Sequence, residues 1–212
     1  MLEHFDLGKD AYTEYDAQWL DEVESDRMLA SLLDGCDWVQ RAIVAGPKEV
    51  MQPRLIDWGG ELPYRYSGQT LEPRPLIGIL ADLNARVSDL VGVPFNHVLL
   101  NRYRDGRDHM GMHTDAEFEL GQNPTIAALS LGVERQFVLR PKFKGRKHER
   151  RFLLAHGSLL VMGGTLQHRW RHGVPKMVGV SGERINVTFR RLMGPPGWRW
   201  WGEGERRDAR EA

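Results

Sequence analysis

After residue 94 the sequence changes from helical spacing to short runs that are apolar or that alternate between apolar and polar residues. Turn residues such as Asp105-Gly106 and Ser181-Gly182 separate the runs, so each run is predicted to be a strand. The six predicted strands are Phe95–Tyr103, Thr125–Leu131, Gln136–Arg140, Arg151–Ala155, Ser158–Met162 and Arg184–Leu192.

Two helices are predicted before these strands. Glu22–Leu33 carries apolar residues on one side, and Gly35 can end it. Arg74–Val91 has apolar residues at steps of three and four, and Gly92 followed by Pro94 stops it. Helices followed by many short strands predict an α+β, mainly β fold. We expect a cupin-like jelly roll, or double-stranded β-helix, buttressed on one side by the N-terminal helices.

Charge is distributed unevenly along a chain whose formal net charge is zero. Residues 1–40 hold eleven acidic and two basic residues, a net charge of −9, so the remaining 172 residues carry +9. The segment Arg140–Arg151 is the most basic, with seven bases and one acid. Such a segment can follow a phosphate backbone because binding releases condensed counterions. A solvated surface is the alternative, and charge alone favours that alternative.

The single cysteine, Cys36, cannot form an internal disulfide, and no basic-then-apolar leader opens the sequence. No run of residues approaches the roughly 18 apolar residues that a membrane-spanning helix needs. We therefore expect a soluble monomer with no membrane partner in a reducing compartment, either cytoplasmic or nuclear.

His113-Thr114-Asp115 follows ten residues after Tyr103 and is the first candidate for chemistry. In an extended segment, residues two apart point the same way, so His113 and Asp115 could bind one ion. Alone, such a pair is more often an exposed polar turn. Two histidines and one carboxylate would leave three positions open on Fe(II), which suits a chelating keto acid together with oxygen. A distal histidine is therefore required.

Four histidines follow the pair along the chain. His148 lies in the basic segment and His156 in a turn, so both are interpreted as surface residues. His168 and His172 remain as candidate ligands. His172 is followed by Gly173, which permits a close backbone approach next to a ligand.

The strand beginning at Arg184 has two chemically different faces. Apolar Ile185, Val187 and Phe189 lie on one face, and Arg184, Asn186, Thr188 and Arg190 lie on the other. The strand could be an ordinary half-exposed one. Two arginines on one face also suit a ligand with two carboxylates, because guanidinium binds carboxylate through paired hydrogen bonds. 2-Oxoglutarate is such a ligand, and the position after the third candidate ligand favours this interpretation.

Taken together, four motifs resemble the AlkB family of dealkylating dioxygenases in order and spacing. They are Asn101-Arg102-Tyr103, His113-Thr114-Asp115, His172-Gly173 and Arg184-x-Asn186-x-Thr188-Phe189-Arg190. The likeness runs from about Leu62 to Leu192. With Asn101–Asp115, the segment Tyr64–Gly68 most resembles the branch that acts on double-stranded DNA.

The resemblance implies Fe(II) at His113, Asp115 and His172, with O2 as the oxidant. It implies that 2-oxoglutarate is held by Asn101, Tyr103, Arg184, Asn186 and Arg190. It also places four residues on the substrate side, namely Tyr64, Tyr66, Glu117 and Arg151. Glu117 could favour a positively charged base, although a solvated acid is an equal alternative.

The length of the chain, with no repeat and no clear linker, predicts one domain over residues 1–212, and the resemblance implies that it is a dioxygenase domain. Residues 1–61 would be an acidic N-terminal part with the nucleotide-recognition region, 62–192 the catalytic jelly roll and 193–212 a C-terminal tail. Tyr64 and Tyr66 are expected to line a surface where they contact the base, and Trp58 could join them. The duplex-opening finger of relatives would fall near Ile43–Gly46, where this sequence has no aromatic residue. Trp198, Trp200 and Trp201 are expected to pack on the domain.

The implied reaction is oxidative demethylation of N-alkylated bases in DNA, such as 1-methyladenine and 3-methylcytosine, with release of formaldehyde. Three alternatives remain open. They are an RNA or protein demethylase of the same chemistry, a small-molecule oxygenase, and a non-catalytic nucleic-acid-binding module. A small-molecule oxygenase does not need the basic segment, and a binding module does not need a complete set of metal ligands.

Overall fold

The computed structural model describes residues 1–45, 48–66, 68–143 and 148–194. Its helices are α1 (Glu22–Gly35), α2 (Gly78–Val91) and α3 (Leu166–Arg169), with a 3-10 turn at Phe118–Leu120. The strands are β1 (Glu3–Gly8), β2 (Ala11–Asp16), β3 (Ala42–Ala45), β4 (Lys48–Met51), β5 (Leu55–Gly60), β6 (Tyr64–Tyr66), β7 (Gln69–Leu71), β8 (His97–Tyr103), β9 (Met110–His113), β10 (Ile126–Gly132), β11 (Arg135–Pro141), β12 (Arg150–Leu154), β13 (Ser158–Gly164), β14 (Trp170–Val174) and β15 (Arg184–Arg190).

Two antiparallel sheets form the body of the protein. The larger has the order β1-β2-β13-β10-β15-β8-β5, and the smaller has the order β12-β11-β14-β9. Apolar side chains of both sheets pack together, including Leu160 and Met162 from the larger sheet and Leu139 and Trp170 from the smaller. Alternation along each strand places these residues between the sheets. The predicted jelly roll is confirmed.

Helices α1 and α2 cover the other face of the larger sheet. Met28 and Leu32 of α1 and Leu83 and Val87 of α2 are buried in one cluster with that sheet. Burying an apolar side chain of this size contributes about 1.5 to 3 kcal/mol. The helices therefore buttress the sheet as expected. No helix within the described residues is long and apolar enough to cross a membrane.

Helix α2 begins four residues later than the sequence predicts. Arg74 exchanges two backbone hydrogen bonds with Gly60, at 2.6 and 2.9 Å, which holds it in an extended bridge. The helix consequently starts at Gly78, after an extended Ile77. Apolar spacing could not reveal this competing contact with β5.

The N-terminal part contains strands that the sequence analysis missed. The hairpin of β1 and β2 adds to the larger sheet through pairing of β2 with β13, and β5 pairs with β8. In β2 the buried positions carry the small residues Ala11 and Thr13, so hydrophobic alternation is weak. The expected boundary at residue 62 divides one continuous sheet, since these three strands precede it.

Candidate active site

Three potential metal ligands meet where β9 pairs with β14. The register of this pair sets His113 directly opposite His172, and Asp115 lies two residues beyond His113. One ligand atom from each residue lies within 4.8 Å of the others. His113 Nε2 is 3.5 Å from Asp115 Oδ1, and His172 Nε2 is 4.0 Å from Asp115 Oδ2. Two imidazoles and a carboxylate this close can share one ion.

The other candidate histidines lie elsewhere. His168 is exposed, and its Nε2 contacts the carbonyl of Gln122. His156 accepts a hydrogen bond from the Gly132 amide at 2.8 Å, and His148 is exposed. Within the described residues, the fold therefore selects His172 from the two histidines that spacing alone left open.

Surrounding groups fix the orientation of the cluster. His113 Nδ1 lies 2.9 Å from the carbonyl of Gly111, so its Nε2 remains available for an ion. The Asp115 amide donates to Gln167 Oε1 at 3.0 Å, and Arg190 Nη2 donates to Asp115 Oδ2 at 3.1 Å. Gln167 was missed by sequence reasoning, because only the fold brings α3 to the Asp115 amide.

The electrostatics favour the forms that bind metal. Burial alone would raise the pKa of the Asp115 carboxyl, but the Arg190 guanidinium and the two histidines hold it well below its usual range. Burial and the neighbouring His113 lower the pKa of His172 to about 3. At neutral pH the cluster therefore presents an ionised carboxylate and a neutral His172, as metal coordination requires.

Gly173 allows β14 to lie close to β9 beside the metal ligands. A Cβ at this position would lie 2.9 Å from the Met110 carbonyl oxygen and 3.0 Å from that of Gly111. Gly173→Ala should push β14 away from β9 and separate the two histidines. We expect about 10- to 100-fold weaker metal binding and a loss of about 1 to 3 kcal/mol in unfolding free energy.

Metal titration and thermal unfolding measure these two effects. Gly111→Ala is the matched control on β9, because a Cβ there would meet no atom within 4 Å. Equal metal affinity in Gly173→Ala and Gly111→Ala would contradict the requirement for close approach.

A second set of polar side chains lies on one shared face of the paired strands β8 and β15. In the register of this pair, Arg184 is opposite Tyr103 and Asn186 is opposite Asn101. Arg184 is fully buried, and its Nη2 donates to Ser130 Oγ at 2.9 Å and to Asn186 Oδ1 at 3.1 Å. Its Cζ lies 5.2 Å from the centroid of the Tyr103 ring.

The buried arginines have unused donors. Arg184 Nε and Nη1 have no hydrogen-bond partner among the described residues, and the same holds for Arg190 Nε and Nη1. Buried polar groups almost always have partners, since desolvation without one is costly. An anionic ligand would supply acceptors for these donors. The residues present therefore fit a dicarboxylate beside the metal cluster.

Arg54 was also missed by sequence reasoning. Its Nε donates to Asn101 Oδ1 at 2.7 Å, and its Nη2 donates to the Tyr66 hydroxyl. The first bond assigns the carboxamide oxygen of Asn101 to Arg54 and leaves the amide NH2 for another partner. Arg54 lies just before β5 outside any periodic pattern, so no local signal marked it.

Tyr64 and Tyr66 are buried rather than lining a surface, contrary to expectation. Their exposed fractions are 0% and 8%. Both point inward from β6 and join an apolar cluster with Leu120, whereas Arg65 between them is exposed. Residues two apart on a strand point to the same face, and in β6 the face that carries both tyrosines is the buried one. The Arg190 Cζ lies 5.5 Å from the Tyr64 ring centroid, so this ring borders the metal cluster.

Glu117 lies beside the metal cluster. Its Oε2 is buried without a hydrogen-bond partner among the described residues. Burial and the nearby Asp115 raise the pKa of the Glu117 carboxyl. These surroundings favour a position of the carboxylate beside the metal ligands over the solvated alternative, and contact with a substrate stays a prediction.

Two other candidates lie apart from the metal cluster. Arg151 pairs with Val138, while Leu139 pairs with both Arg150 and His172, so Arg151 is on the opposite face from His172. It binds Glu149 and Gln136 instead. The guanidinium groups of Arg41 and Arg74 both lie over the Trp58 ring, with their Cζ atoms 4.7 and 3.9 Å from its centroid. The following residues of interest lie outside the described residues: Gly46, Ser67, Lys144, Arg146, Lys147, Trp198, Trp200 and Trp201.

The fold has solved counterparts. The OsALKBH1 structure superposes with a TM-score of 0.62 at 13% sequence identity, covering 84% of this chain and 97% of that one. At this identity the likeness concerns the fold alone.

Sequence relatives give closer matches. The chain is 39% identical over 186 residues to alpha-ketoglutarate-dependent dioxygenase alkB homolog 3 of Rattus norvegicus, covering 84% of this chain and 63% of that protein. It is 44% identical over 138 residues to DNA oxidative demethylase ALKBH2 of Bos taurus, covering 62% of this chain and 50% of that protein. The chain thus spans less than two thirds of the length of these relatives.

The 2OG-Fe(II) oxygenase superfamily model matches residues 13–190. This match, together with the His113, Asp115 and His172 cluster, confirms the prediction of Fe(II), 2-oxoglutarate and O2 as cofactors. The resemblance that the motifs indicated is confirmed as well. The chain belongs to the 2OG-Fe(II) oxygenase superfamily and, within it, to the AlkB homologues.

Proposed function

We propose that this chain catalyses the Fe(II)- and 2-oxoglutarate-dependent oxidative demethylation of N-alkylated bases in DNA. One observation carries the oxygenase part: the buried Arg184, with two unpartnered nitrogens, lies on the inner face of the sheet that also holds the Asp115 partner Arg190. The nucleic-acid part rests on the similarity to a relative named as a DNA oxidative demethylase.

In this proposal His113, Asp115 and His172 hold the metal. Fe(II) with 2-oxoglutarate and O2 supplies the oxidising chemistry that hydroxylates an N-methyl carbon while 2-oxoglutarate becomes succinate and carbon dioxide. The C–N bond then breaks, its electron pair returns to the base nitrogen, formaldehyde leaves, the hydroxyl proton is released, and no strand is cut. The neutral His172 and ionised Asp115 keep the ligand set ready for metal.

The two arginines have different tasks. Residues six apart on a strand are separated by about 20 Å along the backbone, which is much longer than a five-carbon dicarboxylate. Arg190 is committed to Asp115 and thus to the metal end. The Arg184 guanidinium donates hydrogen bonds to Asn186 and Ser130. We assign the distal carboxylate of 2-oxoglutarate to Arg184 with Tyr103, and we place Asn101 and Asn186 along the same pocket.

Glu117 is proposed to select cationic methylated bases such as 1-methyladenine and 3-methylcytosine. A charge-assisted hydrogen bond to such a base is worth about 1.5 to 3 kcal/mol. Glu117→Gln should therefore lower kcat/KM for these bases by roughly 10- to 100-fold while leaving the KM for 2-oxoglutarate nearly unchanged. Initial rates on methylated oligonucleotides measure the effect.

Glu119→Gln is the matched control for Glu117→Gln, because Glu119 belongs to the turn that Glu117 precedes and the substitution is the same chemical change. An equal effect of both substitutions on kcat/KM would show that Glu117 does not contact the base.

The strand preference is part of the proposal. A base must leave its stack to reach a buried metal, and Tyr64, whose ring centroid lies 5.5 Å from the Cζ of Arg190, is proposed to border the space that receives it. The motifs resemble the duplex-acting branch, whereas the relatives found include both alkB homolog 3 and ALKBH2. We therefore extend the proposed substrates to methylated bases in single-stranded and duplex DNA, with RNA as the alternative.

One assay tests the proposal. The protein is loaded anaerobically with Fe(II) and then given O2, 2-oxoglutarate and methylated single-stranded DNA, duplex DNA or RNA. Demethylated base, formaldehyde and succinate should form together in equal amounts. Succinate without demethylation of any oligonucleotide would favour a small-molecule or protein substrate. Absence of succinate under all these conditions would favour a binding module.

The basic segment is proposed to contact phosphates. Neutralising Lys144, Arg146 and Lys147 together should lower the slope of log affinity against log salt by about 0.7 per lost contact on single strands and 0.9 on duplex. The preferred methylated base should not change, because phosphate contacts supply affinity and not base recognition. Lys142 is left intact because its Nζ donates to the Gln167 carbonyl at 2.8 Å, and Gln167 holds Asp115.

Salt titrations of wild type and of this triple variant measure the slope. An unaltered slope would show that the segment does not contact the backbone. A changed ratio of turnover on 1-methyladenine and 3-methylcytosine would place it at the base pocket instead.

A further inference from the structure

Phe118 is an aromatic side chain that the fold holds in solvent. Its exposed fraction is 88%, although it follows directly after Glu117 and lies three residues from the metal ligand Asp115. The Glu117 Oε2 atom is buried, and the carboxylate interacts with Asp115 and Arg190. Over a single residue step of about 3.8 Å, the chain therefore passes from the surroundings of the metal ligands to the protein surface.

The turn that carries Phe118 is anchored on the inner side. Leu120 is buried in one cluster with Tyr64 and Tyr66 of β6. The Leu120 amide donates to the Glu117 carbonyl at 3.0 Å, and the Met193 amide donates to the Glu119 carbonyl at 2.6 Å. Phe118 is consequently held in solvent by a hydrogen-bonded turn whose Leu120 belongs to the apolar cluster of Tyr64 and Tyr66.

Isolated exposed apolar residues are common and need no function. Here, however, a second exposed apolar side chain lies against the same turn. Met193 is 52% exposed, and its Cγ lies 3.8 Å from the position of a Cβ on Gly121, the residue that ends the turn. Phe118 and Met193 are thus two exposed apolar side chains on and beside the turn that follows the metal ligand Asp115.

We propose that Phe118 stacks on the nucleobase adjacent to the one that enters the cavity. When a base leaves its stack, its neighbour loses a stacking surface, and an aromatic ring at the cavity mouth can replace that surface. The inference rests on the proposed function, because it needs a nucleic-acid substrate. It makes Phe118 a substrate-positioning residue of this chain.

Binding of a methylated oligonucleotide tests the inference. The protein is loaded with Fe(II) and 2-oxoglutarate without O2, and the dissociation constant is measured by fluorescence anisotropy. Stacking on aromatic side chains implies that Phe118→Ala and Phe118→Leu bind roughly 5- to 140-fold more weakly, while Phe118→Trp stays within about twofold of wild type. Val178→Ala is the control at another exposed apolar position and should bind like wild type.

A second readout reports on stacking itself. 2-Aminopurine placed next to the methylated base should be quenched by wild type and by Phe118→Trp, and should brighten with Phe118→Ala. Wild-type affinity in Phe118→Ala, or equal affinity in Phe118→Leu and Phe118→Trp, would overturn the stacking role.

The two proposals fail in different ways. If wild type demethylates oligonucleotides but Phe118→Ala keeps both its affinity and its quenching, only the stacking role is wrong. If wild type neither binds nor demethylates any oligonucleotide, the proposed function is wrong and the inference falls with it.

Discussion

His172→Ala is expected to abolish iron binding and oxygenase turnover. Loss of a group outside the ligand set typically costs about 10- to 100-fold in metal affinity, so loss of a ligand should cost more. His172 lies directly opposite His113 across two paired strands, and no other histidine among the described residues joins the cluster. Anaerobic Fe(II) titration and succinate formation measure the loss.

His168→Ala is the matched control, since it removes the nearby exposed histidine and should keep both iron and activity. Loss of iron in His168→Ala together with retained iron in His172→Ala would refute the ligand assignment. Asp115→Ala is a less specific test. It also removes the buried partner of Arg190, which typically lowers the free energy of unfolding by about 3 to 5 kcal/mol. The thermal stability of this variant must therefore be measured as well.

Arg184→Lys is expected to weaken 2-oxoglutarate binding by about 100-fold or more, although the charge is conserved. An ammonium group cannot reproduce the two parallel hydrogen bonds of a guanidinium, and each charge-assisted bond is worth about 1.5 to 3 kcal/mol. The two unpartnered nitrogens of Arg184, Nε and Nη1, are the donors expected to form these bonds. Calorimetric titration with 2-oxoglutarate in the presence of the metal gives the dissociation constant.

Arg102→Lys makes the same chemical change on the opposite face of this strand pair. Arg102 is opposite Ile185 and forms an ion pair of 2.6 Å with Glu183. Arg102→Lys should leave 2-oxoglutarate binding unchanged. If both variants have a similar thermal stability, the weaker 2-oxoglutarate binding of Arg184→Lys is not caused by a loss of folding. An unchanged dissociation constant in Arg184→Lys would remove this residue from the pocket.

Much of the site was predictable because it depends on spacing within single elements. Alternation along β15 assigned Arg184 and Arg190 to one face, and the two-residue step from His113 to Asp115 put both on one side. Apolar periodicity likewise predicted α1 and six of the eight strands described after residue 94, but it missed β9 and β14, which carry His113 and His172. The motifs in order then indicated the family and its cofactors. The assignment of residues to 2-oxoglutarate and to the base stays a prediction.

Spacing could not decide how separate elements meet. Local periodicity left His168 and His172 open, and the register of β14 against β9 selected His172. Tyr64 and Tyr66 were expected at a surface, but they are buried in one apolar cluster with Leu99 and Leu120. The contact of Arg54 with Asn101 joins residues 47 positions apart.

The physical reason is the same in each case. A residue's direction within an element follows from backbone geometry and is therefore written in the nearby sequence. Its partner across elements follows from sheet register and from packing of the whole chain, which strands with few large apolar residues, such as β2, specify only weakly. The sequence by itself thus determined the fold class and the chemical residue types, and the tertiary structure decided which of them form one site.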